Sequence, residues 1–179
     1  MRLPAIALCA AAILAGENFQ YKVLATNKTG TMEREMNEAA EAGYVFSQVM
    51  GGETAGGNEA VVVMAKAPSH SKKSYKLLAT SKTSTMQKEL QAAGDEGFEY
   101  RGQTVFESTF GGRELAVIVE RDTGKPSKRI AYRVLATSRT STLEKELKEA
   151  GSEGYRLLGF SVGKTRFGGN ELVSILRKD

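Results

Sequence analysis

The chain has 179 residues, 25 of them basic and 21 acidic, with a formal charge of +4, and it carries one cysteine and one histidine. So few thiol and imidazole groups exclude a disulfide framework and a cysteine metal cage, and the usual nucleophile and base arrangements are missing. The small positive excess is weak ground for a polyanionic partner, and the basic residues are interleaved with acids, as in Glu144-Lys145-Glu146-Leu147-Lys148-Glu149. Helical ion pairing explains that pattern better than a phosphate-tracking stripe, so nucleic acid is not an expected partner.

Met1-Arg2 precedes an apolar run from Leu3 to Ala15 that stops at Gly16-Glu17. One positive charge followed by a run too short to span a bilayer is the order of a secretory signal, so residues 1–15 are expected to be a leader cleaved near Ala15 or Gly16. Leu8 stands before Cys9 where a lipoprotein signal needs a small residue, so simple export is expected, to the periplasm or the medium. Cleavage would remove the only cysteine and leave 24 basic against 21 acidic residues, a charge of +3. No transmembrane span is expected to remain.

Tyr21, Tyr75 and Tyr132 open three similar stretches, and 75–97 matches 132–154 at 15 of 23 positions. Similarity at a fixed spacing marks duplicated structural units, here 18–66, 74–121 and 130–178. Pro, Ser and Lys mark 67–73 and 122–129 between them as exposed linkers.

Each unit begins with a strand: Tyr21-Lys22-Val23-Leu24-Ala25-Thr26, Tyr75-Lys76-Leu77-Leu78-Ala79-Thr80 or Tyr132-Arg133-Val134-Leu135-Ala136-Thr137. A short amphipathic helix follows, with its apolar stripe at Met32, Met36, Ala39 and Ala40, then Met86, Leu90 and Ala93, then Leu143, Leu147 and Ala150. Ser84-x-x-Gln87 and Ser141-x-x-Glu144 read as capping boxes at the helix starts, with Gly30-x-x-Glu33 a weaker version. Gly43, Gly97 and Gly154 stand where a left-handed residue ends a helix, and each is followed by an aromatic residue that begins the second strand. Gly56-Gly57-Asn58, Gly111-Gly112-Arg113 and Gly168-Gly169-Asn170 read as tight hairpins. The last strand, as in Leu115-Ala116-Val117-Ile118-Val119, is the most continuously apolar and is therefore placed centrally.

The expected fold is α+β: three tandem βαββ repeats, each a three-stranded mixed sheet with one helix on one face and the last strand between the first two. Fewer than about 50 residues is small for an independent core. The units are therefore expected to pack compactly on one another, or on another molecule, and pseudo-threefold packing is one arrangement that would do this.

The helix-to-strand junctions Ala93-Gly94-Asp95-Glu96-Gly97-Phe98 and Ala150-Gly151-Ser152-Glu153-Gly154-Tyr155 resemble a family of small bacterial βαββ domains of unknown function with a G-x-E-G-aromatic junction. Ala40-Glu41-Ala42-Gly43-Tyr44 departs from the motif in the first unit. The resemblance implies the βαββ fold and carries no activity.

The best candidate for a site is the turn before each helix: Lys28, Thr29 and Thr31; Lys82, Thr83, Ser84 and Thr85; Arg139, Thr140, Ser141 and Thr142. A basic group, hydroxyls and free helix amides together could hold phosphate, sulfate or carboxylate. Helix capping alone accounts for most of the motif, and the spacing of a nucleotide-phosphate loop is missing. Glu59, Glu114 and Glu171 read as exposed strand-end charges, and His70 as a solvated linker residue without ligand partners at metal spacing. No metal or cofactor is expected. The leading reading is a non-enzymatic, exported interaction or structural module of the bacterial envelope whose partner is a protein, an envelope component or a further copy of itself. The alternative is a small-anion binder working through the helix starts.

Overall fold

A computed structural model of the chain describes residues 18–68, 72–108, 112–164 and 170–179. The expected leader with Cys9, the linker His70 and the hairpin residues Gly111, Gly168 and Gly169 lie outside the described residues.

The first unit is β1 (Tyr21–Thr26), α1 (Thr29–Glu41), β2 (Tyr44–Thr54) and β3 (Gly57–Lys66). The second is β4 (Lys73–Thr80), α2 (Thr83–Asp95), β5 (Glu99–Ser108) and β6 (Gly112–Asp122). The third is β7 (Ala131–Thr137), α3 (Thr140–Ser152), β8 (Arg156–Lys164) and β9 (Asn170–Lys178). The sheets have the orders β1-β3-β2, β4-β6-β5 and β7-β9-β8, so the most apolar strand is central in each. Every hydrogen-bonded pair is antiparallel. The two outer strands of a sheet run the same way but never pair, so the ladders are antiparallel rather than mixed. The helices end at Gly43, Gly97 and Gly154 with φ of 82°, 82° and 87°, a conformation that costs glycine nothing.

The capping boxes do not form. Each helix starts one residue before the expected cap, Gly30, Ser84 or Ser141; Lys28, Lys82 and Arg139 occupy the cap positions in extended backbone, and no side chain caps any of the three. Ser84 and Ser141 are thus already inside the first turn, too deep to cap it. The strand-end threonines hold the turn instead: Oγ1 of Thr26, Thr80 and Thr137 accepts from the amide of Lys28, Lys82 and Arg139 at 3.1, 3.1 and 3.3 Å. Freed from capping, Gln87 reaches into the next unit, as described below.

The core is shared between units. One cluster joins Met32, Met36, Val62 and Met64 of the first unit to Tyr75, Leu77, Ala116 and Ile118 of the second. The other joins Met86, Leu90, Val117 and Val119 of the second to Tyr132, Val173 and Ile175 of the third. Register places Leu115, Val117 and Val119 on the helix side of the second sheet, and Ala116 and Ile118 on its back. Each core therefore has three walls: a helix, the front of its own sheet and the back of the next sheet. This is why Leu115 to Glu120 is buried continuously, whereas in the first sheet burial in the central strand alternates, with Ala60, Val62 and Met64 buried between partly exposed neighbours. Among the described residues nothing forms the third wall over α3. Its Leu143 and Leu147 are half-buried where Met32, Met36, Met86 and Leu90 are fully buried. The hydroxyl of Ser174, in the place of Val62 and Val117, is buried without a hydrogen-bond partner among the described residues.

Candidate interaction faces and a charged cleft

An edge strand presents a row of bare amides and carbonyls that must be covered or paired. In this chain α1 and α2 each cover the first strand of the following unit with side-chain hydrogen bonds. Asn37 accepts from the Tyr75 amide at 2.9 Å and donates to the Tyr75 carbonyl at 3.0 Å, while Glu33 accepts from the Leu77 amide at 2.9 Å. One unit later Gln91 accepts from the Tyr132 amide at 2.9 Å and donates to the Ile130 carbonyl at 3.2 Å. Gln87 accepts from the Val134 amide at 2.7 Å and donates to the Tyr132 carbonyl at 3.0 Å.

The tyrosine that opens each later unit locks the junction from the other side. A bulge in β2, between Phe46 and Gln48, and one in β5, between Tyr100 and Gly102, interrupt the ladders. The Phe46 amide donates to the Tyr75 hydroxyl at 2.9 Å, and the Tyr100 amide to the Tyr132 hydroxyl at 2.7 Å. In turn Tyr75 donates to Glu120 at 2.7 Å and Tyr132 to the Phe98 carbonyl at 2.9 Å. Burial pushes both phenols above their usual range, so each keeps the proton it donates.

The junctions also depend on close backbone approach. A Cβ at Gly94 would lie 2.5 Å from the Ile130 carbonyl oxygen and 2.7 Å from the Tyr132 ring. One at Gly159 would lie 2.2 Å from the Tyr100 hydroxyl, and one at Gly102 3.0 Å from Val49 and 3.1 Å from Phe46.

Among the described residues there are thus two complete junctions and, on the outer units, two unmatched halves. In α3 the counterparts of Gln87 and Gln91 are Glu144 and Lys148, which are paired with each other on the surface. Gly151, the counterpart of Gly94, faces open space. At the other end Tyr21 and Val23 are 60% and 62% exposed, whereas their counterparts Tyr75 and Leu77 are 1% and 9% exposed. Six of the seven exposed large apolar side chains among the described residues fall on these two faces. Tyr21, Val23 and Met50 share the back of the first sheet, with Phe19 exposed two residues ahead of β1; Leu157, Phe160 and Val162 share the front of the third.

Between the second and third units lies a cleft of about 340 Å³ lined by Lys73, Arg101 and Arg177 and by Glu99, Glu120 and Asp122, among others. Its centre is Glu120, 4% exposed, bonded to Tyr75 and paired with Arg101 at 2.8 Å and Lys73 at 3.1 Å. Burial alone would push this carboxyl up, but the Tyr75 hydroxyl, Arg101 and Lys73 together hold it below the usual carboxylate range. Sequence reasoning missed this group. The available signal was a lone acid closing the apolar run Leu115 to Val119, where the other units carry Ala65 and Arg177.

Glu120→Gln is expected to lower stability by about 2 kcal/mol at neutral pH, since buried hydrogen bonds to a charged group are replaced by weaker ones. The folded carboxyl titrates below its unfolded value of about 4.3, so its contribution is complete above that pH and is lost as pH falls through the folded value. Urea unfolding of both proteins at pH 7 and pH 3 should show the gap shrinking in acid; an undiminished gap at pH 3 would refute this account.

Of the residues expected at an anion site, Lys28, Lys82 and Arg139 are exposed, as are Ser84, Thr140 and Ser141, while Thr29, Thr31, Thr83, Thr85 and Thr142 are half-buried. Lys82 and Thr83 share a cleft of about 20 Å³ with Glu171 of the third unit, and the Thr83 hydroxyl lies 3.5 Å from the Glu171 carboxylate. A carboxylate therefore already stands at the start of α2. The structure places Glu59 beside Thr54, which donates to it at 2.5 Å. Among the described residues no group of three His, Cys, Asp or Glu could hold a metal ion, and no helix is long and apolar enough to cross a membrane.

No family model, no curated protein and no solved structure matches the chain. The resemblance to small bacterial βαββ domains thus rests on the junction motif. What the fold and its faces define is an α+β protein of three interlocked βαββ units with unequal ends.

Proposed function

We propose that this chain is a non-enzymatic interaction and structural module of the bacterial envelope, engaging its partners through its two end faces. The carrying observation is the placement of the exposed large apolar side chains: among the described residues, six of the seven lie on the back of the first sheet or the front of the third. Apolar surface gathered into patches, rather than scattered singly, marks interaction sites. The single positive charge at Arg2 and the apolar run after it support export.

Hydroxyl-radical footprinting tests the reading. Met50 and Phe160 should be labelled readily in dilute purified protein and be protected in the cells that make it. Equal labelling in both settings would overturn it. Sequencing the N-terminus of the cellular protein tests export, with a start near Gly16 expected and an intact Met1 counting against it.

A further inference from the structure

We propose that the occupant of each end face is another copy of this chain, joined head to tail, so that the front of the third unit receives the back of the first sheet. The proposal rests on the interaction-module reading and supplies its partner. Its template is the junction that the chain already makes twice, from first unit to second and from second to third.

The unmatched halves carry the groups such a junction uses. Glu144 stands where Glu33 accepts from the Leu77 amide, so it is placed to accept from the amide of Val23 in an incoming copy. Lys148 stands where Asn37 and Gln91 donate to a backbone carbonyl, and its ammonium can do the same. Tyr21 stands where Tyr75 and Tyr132 take the amide of a bulged strand, and β8 has the same bulge, between Leu157 and Gly159. Gly151 keeps open the space that Gly94 needs beneath Ile130 and Tyr132.

Two positions depart from the template: Lys148 has no acceptor for the Tyr21 amide, a role that Asn37 and Gln91 fill in the two junctions, and at the other position the partner departs as well. Gly102 and Gly159 receive the ring tips of Phe46 and Tyr100, but the first unit has Gln48 there. The side chain that would face Gln48 is Leu157, which lacks the ring atoms that make glycine necessary. The incoming contact would also complete the third wall over Leu143 and Leu147. Because the two faces differ, the contact is heterologous: it builds either a closed ring of copies or an open filament.

Sedimentation velocity on the full chain, from about 1 µM to about 1 mM to span moderate to weak association, should show mass rising beyond one chain. Val23→Arg spoils only the back face and Phe160→Glu only the front face, so each variant alone should stay monomeric. Mixed in equal amounts, they should stop at a one-to-one dimer, formed by the intact front of one and the intact back of the other. If either variant fails to fold, Met50→Arg and Val162→Glu repeat the experiment on the same two faces. A wild-type chain that stays monomeric throughout would overturn the proposal, as would a variant pair that does not complement. Continued protection of Met50 and Phe160 in cells would then assign the faces to a different protein, whereas loss of both results would remove the interaction-module reading as well.

Discussion

Tyr132→Ala should cost about 3–5 kcal/mol of stability, the range for removing a buried aromatic ring, while Tyr21→Ala should change the dilute protein by less than about 0.5 kcal/mol. The two tyrosines hold the same position in the repeat. Tyr132 is 3% exposed; its ring packs in the core shared by the second and third units, and its hydroxyl bonds Tyr100 and Phe98. Removing it leaves a cavity and an unpaired bulge amide. Tyr21 is 60% exposed on the back of the first sheet, and no helix among the described residues covers it as α2 covers Tyr132. Chemical unfolding at micromolar concentration reads both values. Equal losses would mean that the first unit is covered in the same way as the others, contrary to the structure.

The second expected result is a reversal of sign between equivalent glycines. Gly94→Ala should destabilise by about 1–3 kcal/mol, the usual cost of forcing extra volume into a packed site. The new methyl would meet the Ile130 backbone carbonyl at 2.5 Å, and that carbonyl is itself held by Gln91. Gly151→Ala meets nothing within 4 Å and should stabilise by up to about 1 kcal/mol through helix propensity alone. Thermal unfolding of the two variants beside the wild type is sufficient. A destabilising Gly151→Ala in dilute protein would show that α3 is already covered.

Both results depend on a feature that the repeat pattern could only partly announce. The helical stripe Met86, Leu90 and Ala93, the glycine exits and the apolar third strand led to the βαββ unit because each is a local matter of periodicity and backbone freedom. Central placement of the third strand followed from its continuous apolar run, and packing of the units on one another followed from their small size. The capping boxes failed because Ser84-x-x-Gln87 satisfies the spacing rule while the helix begins at Thr83. Gln87 found the edge of β7 instead, a partner 45 residues away along the chain. The residues of the helix starts were singled out for anion binding on local chemistry, and one of those starts lies against Glu171, which only the packing of the third unit brings there. Glu120 was overlooked for the converse reason: nothing in its neighbours along the chain indicates that Tyr75, Lys73 and Arg101 will meet around it.

What the sequence by itself determined is the unit: its strands, its helix, its turns and its number of copies. These follow from side-chain periodicity and from glycine conformations, which act over a few residues and are the same wherever the unit is placed. Only the tertiary structure decided that three similar units have three different environments. The first and second units bury their fronts against the next sheet, and the second and third bury their backs against the previous core, so the middle unit is covered twice and the outer two once each. Tyr21 and Tyr132 differ in burial for that reason alone, since the number of neighbours is a property of the assembly of units and not of the residues within one.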